Sequence, residues 1–289
     1  MRALLFVPAD SGPKLDKAMA SGADGVIIDL EDSITVERKE NARVACLDFL
    51  QRMQPLQNRP KLLVRINGFD TGMTDADLDA IVAGQPDAVV FPKAEGGATV
   101  THLDAKLTAR EAVAGIPQGS IKILAQAVES AAGLFAAGDY LNSSPRLIGI
   151  TWGPEDLSAE LGAESNRDEQ GQLTEPYRLA RSVCLYAAAA ARVPAIETVY
   201  VDFRNTEGLR RDTDDARRDG FSGRLAIHPA QVAVINAAFT PTPEQIDKAK
   251  AVVAAFAAQP GAGAVGIGGK MYDRPHLVRA KALLERVKQ

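Results

Sequence analysis

The chain has 289 residues, 46% of them hydrophobic and 24% charged, an ordinary globular composition that allows one large domain or two small ones. Its 33 Lys and Arg against 37 Asp and Glu leave a net charge of −4, which argues against nucleic acid as the main partner, since phosphate binding wants a basic face. The only two cysteines, Cys46 and Cys184, form no CxxC pair; they suit a reducing compartment and read as buried free thiols.

The opening apolar run in MRALLFVPAD is too short for the core of a secretory signal and is cut off by Pro8 and Asp10. No stretch approaches the roughly 18 apolar residues of a membrane span, so a soluble, cytoplasmic protein with no membrane partner is expected. Short β-rich runs at 3–7, 25–29, 61–66, 88–91, 122–127, 147–151, 195–201 and 223–227 predict eight strands. Most are continuously apolar, as strands buried on both faces are. Alanine-rich helical patterns lie between them, among them 36–52, 98–113 and 175–192. Eight such units before about residue 240 is the number that closes an α/β (β/α)₈ (TIM) barrel. An open doubly wound sheet is the rival architecture, and periodicity alone does not separate the two. The count of eight and the lack of a GxGxxG turn after the first strand favour the barrel.

Beyond the eighth unit the character changes. A helix is predicted over 242–259, with Thr242 as N-cap, Pro243 in the first turn and Glu244 behind it. A glycine-dense stretch over 261–269 follows, then KMYDRPH and a last helix to Gln289. Residues 1–240 are therefore assigned to the barrel and 241–289 to a C-terminal helical lid, the glycines giving it mobility.

In a parallel barrel the chemistry sits at the C-terminal strand ends. Those ends carry Asp10 with Lys14 beyond it; Asp29, Glu31 and Asp32; Arg65 and Asn67; Lys93; Glu129; Trp152 to Asp156; and His228. Carboxylates this close raise one another's pKa unless a cation neutralises them. A hard divalent ion does so, and Mg²⁺ takes one or two carboxylates plus water and substrate oxygens. Glu129 and Asp156, from adjacent strand ends, are the expected metal pair, and no His/Cys cluster suggests zinc. Bland roles compete at each position. Glu129 could favour a helix N-terminus, Asp156 could cap a turn, and Arg65 could pair with Asp29 or Glu31. Asp32 could tie loops together, and His228 before a proline reads as a loop anchor. Neither His102 nor His276 has a partner at metal spacing.

Eight strings in order resemble the citrate lyase β-subunit-like branch of the HpcH/HpaI aldolase family: LLFVPADSGPKLDKA (4–18), DGVIIDLEDSI (24–34), VRIN (64–67), FPKAE (91–95), AVESAAGL (127–134), GPEDL (153–157), AIHPAQVAVIN (226–236) and GGKMYDRP (268–275). The resemblance spans nearly the whole chain. It implies a TIM barrel forming trimers or hexamers, with Mg²⁺ on Glu129 and Asp156 and with Arg65 contacting substrate and stabilising a developing enolate. Asp273, in the lid, would reach a neighbouring subunit's site as acid/base. Lys14 becomes a candidate for the phosphates of coenzyme A, and Glu31 and Asp32 for substrate contacts. One departure is Gly268, where the family usually carries an acidic residue, which puts the lid and Asp273 in question.

The implied reaction is Mg²⁺-dependent cleavage or formation of a 3-hydroxyacyl-CoA thioester, such as malyl-CoA or citramalyl-CoA, with a 2-oxo acid and an acyl-CoA as the other partners. Three alternatives stay open: an aldolase on free hydroxy-oxo acids, an acyl-CoA thioesterase, and a citrate lyase β subunit acting on a carrier-protein thioester. The aldolases typically use a histidine early in the barrel, whereas the first histidine here is His102. A non-catalytic scaffold would need none of Arg65, Glu129 and Asp156 at the rim.

Overall fold

A computed structural model describes residues 1–288, which fall into two compact units, 1–237 and a second from residue 238 onward. The first is a barrel. Its strands are β1 (Ala3–Pro8), β2 (Gly25–Asp29), β3 (Lys61–Arg65), β4 (Ala88–Phe91), β5 (Lys122–Val128), β6 (Leu147–Trp152), β7 (Ile196–Glu197) and β8 (Gly223–Ala226). They run in the parallel order β6-β5-β4-β3-β2-β1-β8-β7. A parallel bridge between Ile150 and Ala195 joins the two ends and closes the ring. Leu4, Ile27, Leu63, Val90, Leu124 and Leu225 form one buried cluster with Ile196 and Ala88. Seven of the eight strands contribute, β4 twice, and β6 adds the half-buried Ile148 packed against them, as a filled barrel interior requires.

Helices follow the strands: α1 (Gly12–Met19), α2 (Lys39–Met53), α3 (Thr74–Ile81), α4 (Gly97–Ala114), α5 (Ala131–Ala136), α6 (Pro154–Leu161), α7 (Glu175–Ala191), α8 (Thr206–Asp219) and α9 (Pro229–Phe239). The largest departure from the predicted strands is β7, two residues long rather than 195–201. Past it the Thr198 N–H donates to the Glu197 side chain at 2.9 Å instead of to a neighbouring strand, and the Tyr200 carbonyl accepts from Gln231 at 2.8 Å. The β-rich composition is real, but side chains have taken the backbone groups a strand would need.

The barrel's N-terminal side is tied by Arg146, just before β6 and 1% exposed. Its guanidinium spans both Glu111 oxygens (2.7 and 2.6 Å), Thr108 and the Ile121 carbonyl, and reaches Asp104. Glu111 also accepts the Gly119 and Ile121 N–H groups, so this buried charge is fully partnered. Both cysteines are buried and free.

The second unit holds α10 (Pro243–Ala258), β9 (Ala264–Ile267), β10 (Lys270–Asp273) and α11 (Arg274–Lys288); Gln289, the expected last helical residue, lies outside the described residues. Thr242 caps α10 in a reciprocal capping box with Gln245, worth about 0.5–2 kcal/mol. The glycine-dense stretch is not a plain linker between helices. β9 and β10 pair antiparallel, Lys270 with Ile267 through Asp273 with Ala264, across Gly268 and Gly269. Those glycines have φ of +55° and +75°, as a two-residue hairpin turn of the primed type demands, so Gly268 serves the turn. Val252, Phe256, Val265 and Ala280 make this unit's own small core. Among the described residues no helix is long and apolar enough to cross a membrane.

Candidate active site

Strand register builds the first half of the site. Pro8 pairs with Asp29 and Asp29 with Arg65, which sets acid and base side by side at the strand ends. Arg65 Nε and Nη2 donate to the two Asp29 oxygens, both at 2.7 Å, a bidentate charge-assisted pair. Its guanidinium carbon lies 4.7 Å from the centroid of the Phe6 ring, and Nη1 lies 2.9 Å from Glu31 and 3.8 Å from Asp32. Burial alone would raise the Asp29 pKa, but the Arg65 pair holds it below the usual carboxylate range. The loop carrying Glu31 is fixed by buried Lys39, whose Nζ donates to the Leu30 and Glu31 carbonyls and to Asn67.

The other half comes from β5 and β6. Side chains at 126 and 129 would point to opposite faces of a regular strand, but a register shift between Gln126 and Val128 realigns them. The Gln126 amide donates to Glu129 Oε1 and the Lys93 N–H donates to Glu129 Oε2 at 2.7 Å. Gly153, just after β6, makes room: a β-carbon there would stand 2.5 Å from Glu129 Oε1. Asp156 follows in the first turn of α6, and Lys93 Nζ lies 3.7 Å from Asp156 and 3.6 Å from Glu31. Trp152 is fixed by its indole N–H on Glu197 at 2.6 Å.

These groups line or adjoin a cavity of about 450 Å³. Arg65, Asp29, Asp32, Glu129 and Asp156 are in its wall with Gln126, and Phe6, Trp152 and Leu225 give it an apolar side. The charges do not balance, because the five carboxylates Asp29, Glu31, Asp32, Glu129 and Asp156 face Arg65 and Lys93, with buried Lys39 acting on Asp29, Glu31 and Asp32 from within the loop. Burial, incompletely offset by Arg65 and reinforced by Asp32, pushes Glu31 up to about 7. Burial likewise pushes Glu129 up to about 8, against the Lys93 N–H and with help from Asp156. Asp156 is raised by burial and by Asp32. Buried Gln126 Oε1 has no hydrogen-bond partner.

The donor set fits a hard divalent cation. Two carboxylates of raised pKa stand at one cavity, beside a glycine whose missing side chain leaves space for one of them. Among the described residues no three His, Cys, Asp or Glu side chains form a complete cage. An ion here would therefore fill its shell with water and substrate oxygens, as Mg²⁺ does and Zn²⁺ in a structural site does not.

Of the residues singled out from sequence, Arg65, Glu31, Asp32, Glu129 and Asp156 converge. Lys14 is exposed in the first turn of α1 and is not in the cavity wall. Asp273 ends β10 in the second unit, where its carboxylate is hydrogen-bonded to His276 Nδ1. His228 is a loop anchor: Nδ1 accepts from the Ala230 N–H and the ring stacks on Phe203 at 4.7 Å. Sequence reasoning passed over Gln126 and Gly153. The cue for Gln126 was its place three residues before Glu129, which matters only once the strand is irregular.

The family described as HpcH/HpaI aldolase/citrate lyase matches residues 2–229, and one described as C-C bond lyase of the TIM-barrel fold matches 170–289. The citrate lyase subunit beta of Leuconostoc mesenteroides subsp. cremoris is 34% identical over 98% of this chain and 92% of its own length. A (3S)-malyl-CoA thioesterase of Cereibacter sphaeroides (strain ATCC 17029) is 32% identical over 98% and 93%. The crystal structure of CitE from Mycobacterium tuberculosis in complex with magnesium, acetoacetate and coenzyme A superposes with a TM-score of 0.78 at 34% identity, covering 100% of this chain and 98% of that one. The eight-stranded barrel, its acid-rich C-terminal rim and these matches together place the chain in the HpcH/HpaI aldolase/citrate lyase family.

Proposed function

We propose that this protein is a Mg²⁺-dependent carbon–carbon lyase that cleaves or forms a 3-hydroxyacyl-CoA thioester, exchanging it with a 2-oxo acid and an acyl-CoA. The observation that carries the reading is Glu129, Asp156 and Arg65 around one cavity with more carboxylates than cations. Support comes from relatives named for citrate lyase and malyl-CoA, and from the similar CitE crystallised with magnesium and coenzyme A.

Glu129 and Asp156 are the proposed ligands of the ion, which when bound supplies Lewis-acid charge to substrate oxygens. In cleavage the substrate hydroxyl gives up its proton, the bond between C2 and C3 breaks, and its electron pair moves into the thioester as an enolate. Arg65 is rigid before substrate arrives, with Asp29 gripping one edge of the guanidinium. Nη1 is shared with Glu31 at 2.9 Å, and the N–H groups that Asp29 and Glu31 leave over are the proposed donors to the enolate oxygen as charge grows there, a preorganised oxyanion contact. The carbanion carbon then takes a proton to give the acyl-CoA, and Asp273 keeps the acid/base role that the family resemblance implies. Glu31 and Asp32 border the substrate through Arg65 and Lys93. Lys14 stays a proposed contact for phosphate, and a homotrimer or homohexamer the proposed assembly.

The thioesterase-named relatives favour a second reading, hydrolysis of the thioester after or instead of cleavage. Purified protein offered a panel of 3-hydroxyacyl-CoAs, with Mg²⁺ and with EDTA, separates the two. Release of glyoxylate or pyruvate only with Mg²⁺ is expected, and free CoA without oxo acid marks the thioesterase. Turnover of free hydroxy-oxo acids alone would move the protein to the aldolases. Turnover only of a carrier-protein thioester would make it a citrate lyase β subunit.

A further inference from the structure

Lys93 is a non-glycine residue with φ of +48°, two residues beyond the end of β4 and next to Glu129 and Asp156 of the cavity wall. A side chain with a β-carbon resists this left-handed backbone, and glycine would adopt it freely. The conformation aims the two ends of one residue at the acidic cluster. The backbone N–H holds Glu129 Oε2 at 2.7 Å, while the ammonium stands 3.6 Å from Glu31 and 3.7 Å from Asp156. Those ammonium contacts are longer than a charge-assisted hydrogen bond. The side chain is therefore held by the field of the carboxylates, on a flexible stem that can move away, while the N–H is fixed by the chain.

We propose that the Lys93 ammonium is the resident counter-ion of the site: it occupies the field of Asp156 and Glu31 when no metal is bound, yields to the divalent ion, and sets that ion's affinity. The inference rests on the reading of Glu129 and Asp156 as metal ligands. A positive charge less than 4 Å from a ligand oxygen, on a tether that keeps it near, both repels a dication and competes for that oxygen. The chain thus weakens its own metal site so that the ion exchanges, and spares the empty site the full repulsion of its carboxylates. The two functions of Lys93 separate cleanly, since every replacement except proline keeps the N–H on Glu129.

The test is Mn²⁺ binding to the full-length protein, read by calorimetry and by the electron paramagnetic resonance of free Mn²⁺, which shares the oxygen preference of Mg²⁺. Lys93→Met is expected to bind Mn²⁺ roughly tenfold more tightly than wild type, since a like charge has gone from about 4 Å away. Lys93→Arg should match wild type, and Glu129→Gln should bind none. Lys93→Gly, which suits φ of +48° and also lacks the charge, repeats the test if the methionine variant folds poorly. Equal or weaker binding by the neutral variants, with wild type binding and Glu129→Gln not, overturns the assignment of Lys93. Failure of every variant to bind Mn²⁺ overturns the metal site and the Lys93 role with it.

Discussion

Gly153→Ala adds one methyl group and no charge, and the structure says where that methyl goes. The backbone at Gly153 has φ −131° and ψ 98°, which alanine adopts without strain, so any effect must come from contact. The new β-carbon would lie 2.5 Å from Glu129 Oε1, 2.9 Å from its Cγ and 3.1 Å from its Cδ. Relief to an ordinary contact of about 3.4 Å needs a shift of about 0.9 Å. Glu129 cannot swing freely, because the Lys93 N–H and the Gln126 amide hold its two oxygens. The carboxylate must leave its donors or push α6, which carries Asp156. Overpacking of this kind costs about 1–3 kcal/mol, a fall of roughly 2–12 °C in Tm for a domain of this size, and the fold survives. A misplacement near 1 Å at a reacting centre costs about 100-fold in rate. We therefore expect kcat/KM to fall by about two orders of magnitude and the Mg²⁺ requirement to rise, with the circular dichroism spectrum unchanged. Wild-type kcat/KM and Mg²⁺ dependence in a stably folded Gly153→Ala would refute the placement of Glu129 as a ligand.

Arg65→Met should lower kcat/KM by about 10²–10³-fold, the loss expected for an oxyanion contact, while Mn²⁺ still binds; a smaller loss in steady-state assays would return Arg65 to pairing with Asp29. Asp273→Asn should depress kcat and leave Mn²⁺ binding and Tm near wild type; an unchanged kcat removes the residue from the proton path. Arg146→Met strands the buried Glu111 charge and should cost about 3–5 kcal/mol, read as a Tm fall of roughly 6–20 °C with little effect on the substrate KM of the folded fraction. The same network predicts an acid limit to stability. Although burial raises Glu111 and Asp104, Arg146 with the Ile121 and Gly119 N–H groups holds Glu111, and Ser144 with Arg146 holds Asp104, below the ordinary carboxylate range. A depressed folded pKa means stability present above about pH 4 and lost as pH falls through the folded values. In Arg146→Met this acid-labile stabilisation should shrink in denaturant melts taken across pH 2–6, leaving what Ser144 and the Ile121 and Gly119 N–H groups supply.

The barrel was readable because its strands are buried on both faces and so leave continuous apolar runs that only a covered parallel sheet tolerates. The proposed metal pair, Glu129 and Asp156, could be picked out because strand ends are marked by where those runs stop, and the structure brings both to one cavity. What escaped depended on irregular backbone. Gln126 meets Glu129 only through a shift in strand register, and Gly153 matters only because a neighbouring carboxylate lies where its β-carbon would be. Glycine count hid the hairpin of the second unit, since glycine is depleted from strands and a Gly-Gly turn looks like a linker until the residues on each side are paired. The β7 strand was overread for the opposite reason: its composition suits a sheet, but Glu197 and Gln231 bind the backbone first.

The two ends of the barrel treat buried charge in opposite ways. Around Arg146 each buried carboxylate oxygen has a donor, whereas at the other rim Glu129 and Glu31 are held as anions only at some expense to the fold. Selection for mere thermal robustness would erode that rim first, since a neutral Gln at 129 folds with less opposition than the acid does. Glu129→Gln melted in EDTA should accordingly be the sturdier protein. On the proposed function this rim gives up stability for charge that the ion and substrate use, and a copy of the chain released from that chemistry would gain stability by neutralising it.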